Sequence, residues 1–282
     1  MPGVPDLTDV ARSSLLDALE ALEEQKEALV LVGAQAIYLR IGEAYAAVAP
    51  FTTDGDLLID PAFLADDPQI ATLMEAGGFR LVEEDVGMWV SATTGVTIDL
   101  LVPKAVGGSG RRGARLGIHG KRVAKKVAGL EGALVDRDRM AVASAEPDDS
   151  REFDILVAGP AALLVSKLFK LAERRDEPRR LDNKDALDVF RLLQGTPAND
   201  LADRLRHIID DPLGHESGVR GIELLSELFG AADAMGSSMA AQAVVTLDDP
   251  AFVAASCAAL SAQVRALLPT RLTTASGGSG AS

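Results

Sequence analysis

Residues 28–41, ALVLVGAQAIYLRI, and residues 51–60, FTTDGDLLID, govern the fold of the N-terminal half of this chain. The first segment begins with a short continuous apolar run that stops at Gly33, a pattern typical of a strand buried on both faces. Helical spacing follows directly after Gly33, so the strand is expected to lead into a helix. In the second segment, residues 57–59 predict another buried strand, ended by a proline.

On either side of these segments, apolar periodicity predicts a mixed α+β region followed by an all-helical one. Helices are expected over residues 8–27 and 68–76, and strands over 79–84, 87–92, 96–102, 139–145 and 152–157. The first three of those strands are separated by short Gly-containing turns, which favour an antiparallel meander. Further helices are expected over residues 160–175, 183–194, 199–210, 217–230 and 250–268. The predicted division is an α+β domain over residues 1–158, a helical domain over 159–270 and a flexible tail over 271–282.

The composition of the 282-residue chain is that of a folded globular protein, with 48% hydrophobic and 25% charged residues. Its single cysteine, Cys257, excludes an intrachain disulfide framework and a thiolate zinc cluster, and it favours a reducing, cytoplasmic compartment. No basic start is followed by an apolar block, and no stretch reaches about 18 uninterrupted apolar residues. We therefore expect neither a signal peptide nor a membrane span.

The formal charge of −14, from 28 basic and 42 acidic residues, gives no broad footprint for duplex DNA. The basic residues are not evenly distributed, since residues 104–130 hold eight Lys or Arg and no acidic residue. This Gly- and Arg-rich segment is expected to be a loop. It is either a local contact surface for a polyanion or a solvated basic loop.

Three aspartates point to chemistry. Asp54 and Asp56 lie two residues apart at the start of a predicted strand, so they share a face with origins about 6.6 Å apart. Asp99 lies in another apolar strand, where an unpaired carboxylate would be costly. If that strand lies beside the first, about 4.8 Å away, Asp99 becomes a third ligand for the same cation.

A set of carboxylates without His or Cys favours Mg²⁺ or Mn²⁺ over zinc, and such ions commonly also bind substrate phosphates. The set therefore indicates phosphoryl chemistry, although an isolated Asp-x-Asp is also common in surface turns. An EF-hand is disfavoured because apolar residues 57–59 occupy the positions after Asp56. Upstream, the helix that opens at Gly33 and Ala34 directs free backbone N–H groups forward, which suits a triphosphate.

Three segments in this order, LVGAQAIYLR (31–40), TTDGDLL (52–58) and TIDLLV (97–102), resemble the polymerase-β-like nucleotidyltransferase superfamily. The downstream segment LLVSKLFKLAERRDEPRRLDNKDALDVFRLL (163–193) is similar to the AbiEii family of nucleotidyltransferase-like toxins, which includes the MenT-type enzymes. The resemblance covers about residues 28–195 and rests on the ordered set of motifs. It implies a nucleotidyltransferase fold, with a mixed sheet flanked by helices.

Two positions depart from the family pattern. The helix-start serine of the family is Ala34 here, and the arginine common shortly before the Asp-x-Asp motif is replaced by Phe51 and Thr52. Backbone N–H groups at a helix start still bind phosphate without the hydroxyl.

The resemblance implies that Asp54 and Asp56 bind a metal that bridges NTP phosphates, and that Asp99 shares a second metal and helps to activate the acceptor hydroxyl. Lys167 would offset the charge of the triphosphate. The implied nucleotide-binding residues are Gly33, Ala34, Thr53, Lys167, Lys184, Asp185 and Asp188. Asp185 and Asp188 have two interpretations, since they either hold Lys167 and the nucleotide or cap a solvated helix start.

The functional hypothesis is a Mg²⁺- or Mn²⁺-dependent transfer of a nucleoside monophosphate from an NTP to an acceptor hydroxyl. In the toxin interpretation the acceptor is a tRNA 3′ end and the partner is a cognate antitoxin. The candidate RNA contacts are Arg111, Arg112, Arg115, Lys121 and Lys125. Two alternatives stay open: transfer to a small molecule or protein, and a catalytically inactive nucleotide- or partner-binding module, which Ala34 favours.

Overall fold

The structure is a computed structural model that describes residues 7–42, 52–175, 183–246 and 248–269. The chain divides into two compact units. Among the described residues, the first unit comprises 7–39, 52–128 and 137–158, and the second comprises 40–42, 129–136 and the residues from 159 onward. The tail predicted over 271–282 lies outside the described residues. Within the described ranges, no helix has both the length and the apolar composition needed to cross a membrane.

The first unit is built on a mixed sheet. Its helices are α1 (Leu7–Ala21), α2 (Gly33–Ile41), whose last residues belong to the second unit, and α3 (Ile70–Ala76). Its strands are β1 (Leu29–Val32), β2 (Asp54–Ile59), β3 (Phe79–Leu81), β4 (Met88–Ser91), β5 (Thr97–Pro103), β6 (Lys125–Val127), β7 (Arg137–Ala143) and β8 (Glu152–Ala158). The strand order is β3-β4-β5-β2-β1-β8-β7, with β6 paired to β5. Parallel and antiparallel pairs occur together, which confirms the predicted α+β class with a mixed sheet.

Strand β2 lies at the centre of this sheet, antiparallel to β1 and parallel to β5. Helix α1 covers one face of these strands. A Cβ atom on Gly55 would lie 2.8 Å from Ile98 Cδ1 and 3.4 Å from Leu15 Cδ1, so Gly55 lets α1 and the sheet approach closely. Because side chains alternate along a strand, the residues next to Gly55 and Ile98 project from the opposite face.

The second unit is helical. It contains α4 (Pro160–Arg174), α5 (Asn183–Gly195), α6 (Ala198–Asp210), α7 (His215–Phe229), α8 (Met235–Ala243) and α9 (Pro250–Ala266). Helix α4 packs against α5, α6 and α7, while α8 packs against α5 and α9. This arrangement confirms the helical C-terminal part that the sequence predicts.

Three elements differ from the predictions. The first helix ends at Ala21 and continues as a 3₁₀ helix over Glu23–Ala28. Strand β6 lies inside the segment expected to be a loop, because pairing with β5 stabilises a short polar sequence that has no strand pattern of its own. Helix α8 was not expected, since its contacts are made by small residues such as Gly236 and Ser237, which form no apolar stripe.

Candidate metal and nucleotide site

The sheet register brings the three predicted carboxylates to one face of two adjacent strands. Asp56 on β2 is the direct partner of Asp99 on β5, and Asp54 is the partner of Thr97. These residues are half-buried, whereas the alternating positions Gly55 and Ile98 are buried beneath α1. Asp54, Asp56 and Asp99 therefore project from the face opposite α1.

Asp54 is held by contacts that connect the start of β2 to helix α2. Its Oδ1 atom accepts a hydrogen bond of 2.6 Å from Thr52 Oγ1. Its backbone carbonyl accepts one of 3.0 Å from Gln35 Nε2, and Gln35 also donates to the carbonyl of Ala11. The amide of Gln35 thus fixes β2 relative to α1 and α2. Thr53, between these contacts, is exposed.

The start of α2 lies against the carboxylate of Asp56. Gly33 has a φ of +70°, and a Cβ atom on this residue would overlap Asp56 Oδ2. Only glycine satisfies both the left-handed backbone and the close approach. Ala34, the next residue, is buried, so the first turn of α2 offers backbone N–H groups where the resembling family has a serine hydroxyl.

Asp99 is already paired with a cation of the protein. Lys125 Nζ lies 2.5 Å from Asp99 Oδ2. The other carboxylate oxygen, Oδ1, is buried and has no hydrogen-bond partner among the described residues. Asp99 therefore has one neutralised oxygen and one buried oxygen whose lone pairs are unsatisfied.

Whether this site suits a divalent cation depends on the distances between its side chains and on the chemistry of their donor atoms. Among the described residues, no three or more His, Cys, Asp or Glu side chains are gathered closely enough to hold a metal. The chemistry of the residues nevertheless suits Mg²⁺, because the donors are all oxygens on one face and Asp99 Oδ1 lacks a partner. The residues match the ion in donor type and in strand register, but in this structure they are not close enough to form a metal site and Lys125 occupies Asp99.

In the second unit, Lys167 lies between the two predicted aspartates of α5. Its Nζ atom is 2.9 Å from Asp185 Oδ1 and 2.7 Å from Asp188 Oδ2. The first contact is a hydrogen bond, and the second is an ion pair. Further cations contact the same carboxylates, namely Lys170 and Arg174 at Asp185 and Arg191 at Asp188.

Burial excludes one interpretation of these aspartates, the solvated helix start. Asp185 is 2% exposed and Asp188 is fully buried, so neither belongs to a solvated helix start. Burial opposes charging Lys167, but Asp188 and Asp185 outweigh it and raise the pKa of the lysine. Burial likewise raises the pKa of Asp185, but Lys167 and Lys170 lower it to about 2. Lys167 and Asp185 are thus both charged at neutral pH, and the two aspartates hold Lys167 in place.

Four of the five candidate RNA contacts are exposed: Arg111, Arg112, Arg115 and Lys121. The segment that carries them is held by hydrogen bonds within it and by one to the start of α3. His119 is buried, and its Nδ1 atom accepts a hydrogen bond of 3.1 Å from the backbone N–H of Ile70 at the start of α3. Lys126 donates to the carbonyls of Gly108 and Gly110. Lys125 differs from the four, since its ammonium contacts Asp99.

The sequence did not indicate the roles of Gln35 and Lys125. Gln35 lies in an apolar helix, and nothing in its neighbourhood marks it as the residue that holds β2. Lys125 belongs to a run of basic residues, 26 positions from Asp99, and its contact depends on strand β6.

No protein-family model matches this sequence. No curated protein matches it significantly.

Proposed function

We propose that this protein is a metal-dependent nucleotidyltransferase that transfers a nucleoside monophosphate from an NTP to an acceptor hydroxyl. The observation that carries this proposal is the register of β2 and β5, which aligns Asp56 with Asp99 and leaves Asp54 on the same face. Carboxylates in this arrangement suit Mg²⁺ or Mn²⁺. The resemblance of three motifs to polymerase-β-like nucleotidyltransferases supports the same chemistry.

The chain's own residues have distinct roles in this proposal. Asp54 and Asp56 would hold one ion and Asp99 would share a second, and the ions, when bound, would supply charge stabilisation at the phosphates. The backbone N–H groups at the start of α2 would bind phosphate oxygens, since Gly33 permits close approach. Asp99 would accept the proton of the acceptor hydroxyl while the oxygen of that hydroxyl forms a bond to the α-phosphorus. The bond from the α-phosphorus to the bridging oxygen breaks, and pyrophosphate leaves.

For the acceptor, we propose the 3′ end of a tRNA. Four exposed basic side chains on an ordered segment of a chain with net charge −14 support a local polyanion contact. The similarity of residues 163–193 to AbiEii-type toxins supports the same acceptor. The protein would then be the toxin of a toxin–antitoxin pair, and its partner would be a cognate antitoxin.

The decisive experiment measures transfer of label from each of the four α-³²P-labelled NTPs to total RNA and to the protein itself, in Mg²⁺. The test variant is Asp54→Ala/Asp56→Ala. The matched control is Glu146→Ala/Asp148→Ala, which removes the same charge from exposed positions. We expect labelled RNA with the wild type and the control, and none with the test variant. Equal labelling by both variants would overturn the proposed site.

The structure also favours a second candidate, a nucleotide- or partner-binding module without turnover. Lys125 already neutralises Asp99, and the helix start carries Ala34 where the family has a serine. Metal-dependent NTP binding with no label on any acceptor would identify such a module. Label on a small hydroxyl compound or on the protein, with none on RNA, would instead identify a different acceptor.

A further inference from the structure

Lys125 is held on the carboxylate face of the sheet by its backbone. Strand β6 runs parallel to β5 with Lys125 opposite Leu101, two residues beyond Asp99. Directly paired residues and residues two apart along a strand share a face, so Lys125 and Asp99 project from the same side. This is also the face of Asp54 and Asp56.

Two further contacts fix the position of Lys125. Gly113 forms an isolated bridge with it on its other side. A Cβ atom on Gly87 would lie only 2.5 Å from the backbone nitrogen of Lys125, so this glycine permits β6 to pack against the sheet. The backbone of β6, held by these contacts, thus places Lys125 close to Asp99.

The ammonium of Lys125 contacts the carboxylate of Asp99 where a metal ion would otherwise bind. Lys125 Nζ is 2.5 Å from Asp99 Oδ2, while Asp99 Oδ1 has no partner among the described residues. The side chains are 32% and 17% exposed, respectively, so solvent only partly screens the pair.

We propose that Lys125 is an internal counter-ion that competes with the divalent cation for Asp99, an inference that rests on the proposed function. With the ammonium on Asp99, the repulsion among the three carboxylates on this face is reduced. A divalent cation that takes either oxygen of Asp99 as a ligand repels the nearby ammonium and weakens its contact with Oδ2. Lys125 thereby raises the metal concentration at which the site fills, and it is a positioning residue for Asp99.

The test measures Mn²⁺ binding to the full chain by titration calorimetry, with circular dichroism to verify the fold of each variant. Lys125→Met removes the ammonium and leaves an unbranched side chain of similar length, whereas Lys125→Arg keeps the positive charge. Lys104→Met is the matched control, because it removes the same charge from an exposed position of the same segment. We expect about two- to fivefold tighter Mn²⁺ binding in Lys125→Met. Lys125→Arg and Lys104→Met should bind like the wild type.

A second measurement uses the wild-type protein and does not depend on a variant. Acetylation of Lys125, followed by mass spectrometry, should become faster when Mn²⁺ is added, since the released ammonium is more accessible. Acetylation of Lys104 should not change.

The outcomes separate this inference from the proposed function. Equal Mn²⁺ affinity in the wild type, Lys125→Met and Lys104→Met, lost in Asp54→Ala/Asp56→Ala, would overturn the competition and leave the metal site intact. The absence of Mn²⁺ binding in every folded variant would overturn both. Weaker binding in Lys125→Met would also overturn the competition, because it would make the lysine a support of the metal site.

Discussion

Lys167, Asp185 and Asp188 show how burial changes what a charged residue does. On a protein surface, an ion pair between a lysine and an aspartate contributes little to stability, because water screens the two charges. Here the three side chains are 7%, 3% and 0% exposed, and Lys167 is the one cation that contacts both buried carboxylates among the described residues. Removing one member therefore costs more than the contact itself stabilises.

Lys167→Met should lower the free energy of unfolding by about 3 kcal/mol, since it leaves two buried carboxylates without their shared cation. Lys170→Met is the matched control. Its side chain is 43% exposed and contacts Asp185 from the solvent side, so its loss should cost less than about 1 kcal/mol. Urea denaturation at pH 7 measures both. Equal costs would show that burial does not strengthen the role of Lys167.

The depressed pKa of Asp185 predicts a specific acid sensitivity. Its pKa is about 2 in the fold, against an ordinary value of 3.8, so the ionised carboxylate stabilises the fold above pH 3.8. This contribution is lost as the pH falls through 3.8 toward 2. Urea denaturation between pH 5 and pH 2 should show a smaller loss of stability for Asp185→Asn than for the wild type. A parallel loss in both proteins would contradict this assignment.

At the scale of elements, the junction between β1 and α2 depends on one residue. Gly33 ends a fully buried strand, adopts a left-handed backbone and lets the helix start against Asp56. The strand, the turn and the carboxylate are therefore coupled, and a change at Gly33 should affect both the fold and the site.

Gly33→Ala should destabilise the protein by about 2–3 kcal/mol, because the new Cβ adds a clash with Asp56 to the backbone strain. Gly42→Ala separates the two effects. Gly42 also has a positive φ, of 62°, but no atom of the described residues lies within 4 Å of a Cβ placed there. Its cost should be about 1 kcal/mol. Denaturant unfolding measures both variants, and equal costs would mean that the contact with Asp56 carries no strain.

At the scale of the whole molecule, the charge distribution sets how RNA would bind. A net charge of −14 repels a polyanion at long range, so attraction must come from the exposed basic segment. Its four exposed candidates lie in a loop, as expected from the Gly-rich sequence, and the contact of His119 and the pairing of β6 hold that loop.

The triple variant Arg111→Gln/Arg112→Gln/Arg115→Gln should weaken RNA binding and lower its logarithmic salt slope by about 2, because each lost phosphate contact contributes about 0.7. The control Arg139→Gln/Arg206→Gln/Arg220→Gln removes the same charge from arginines that pair with carboxylates on the protein surface. Fluorescence anisotropy with labelled tRNA at several salt concentrations measures the slope. An equal decrease in the control would assign the effect to net charge alone.

The sequence was sufficient to predict most elements, because apolar periodicity reports directly which face of a strand or helix is buried. The strand before Gly33, the meander from residue 79 and every described α-helix except α8 follow from that pattern. So does the shared face of Asp54 and Asp56, since it is a property of one strand. Strand β6 and helix α8 had no such pattern, because cross-strand pairing and close packing of small residues stabilise them.

Contacts between distant parts of the chain were decided by the tertiary structure. The pairing of β2 with β5 aligned Asp56 with Asp99, and the packing of α4 against α5 buried two aspartates around Lys167. The assignment of Lys125 to Asp99 required a strand that the sequence does not mark. Local spacing determines the face on which a residue lies, whereas the partner of a charge depends on which surfaces the folded chain brings within a few ångströms.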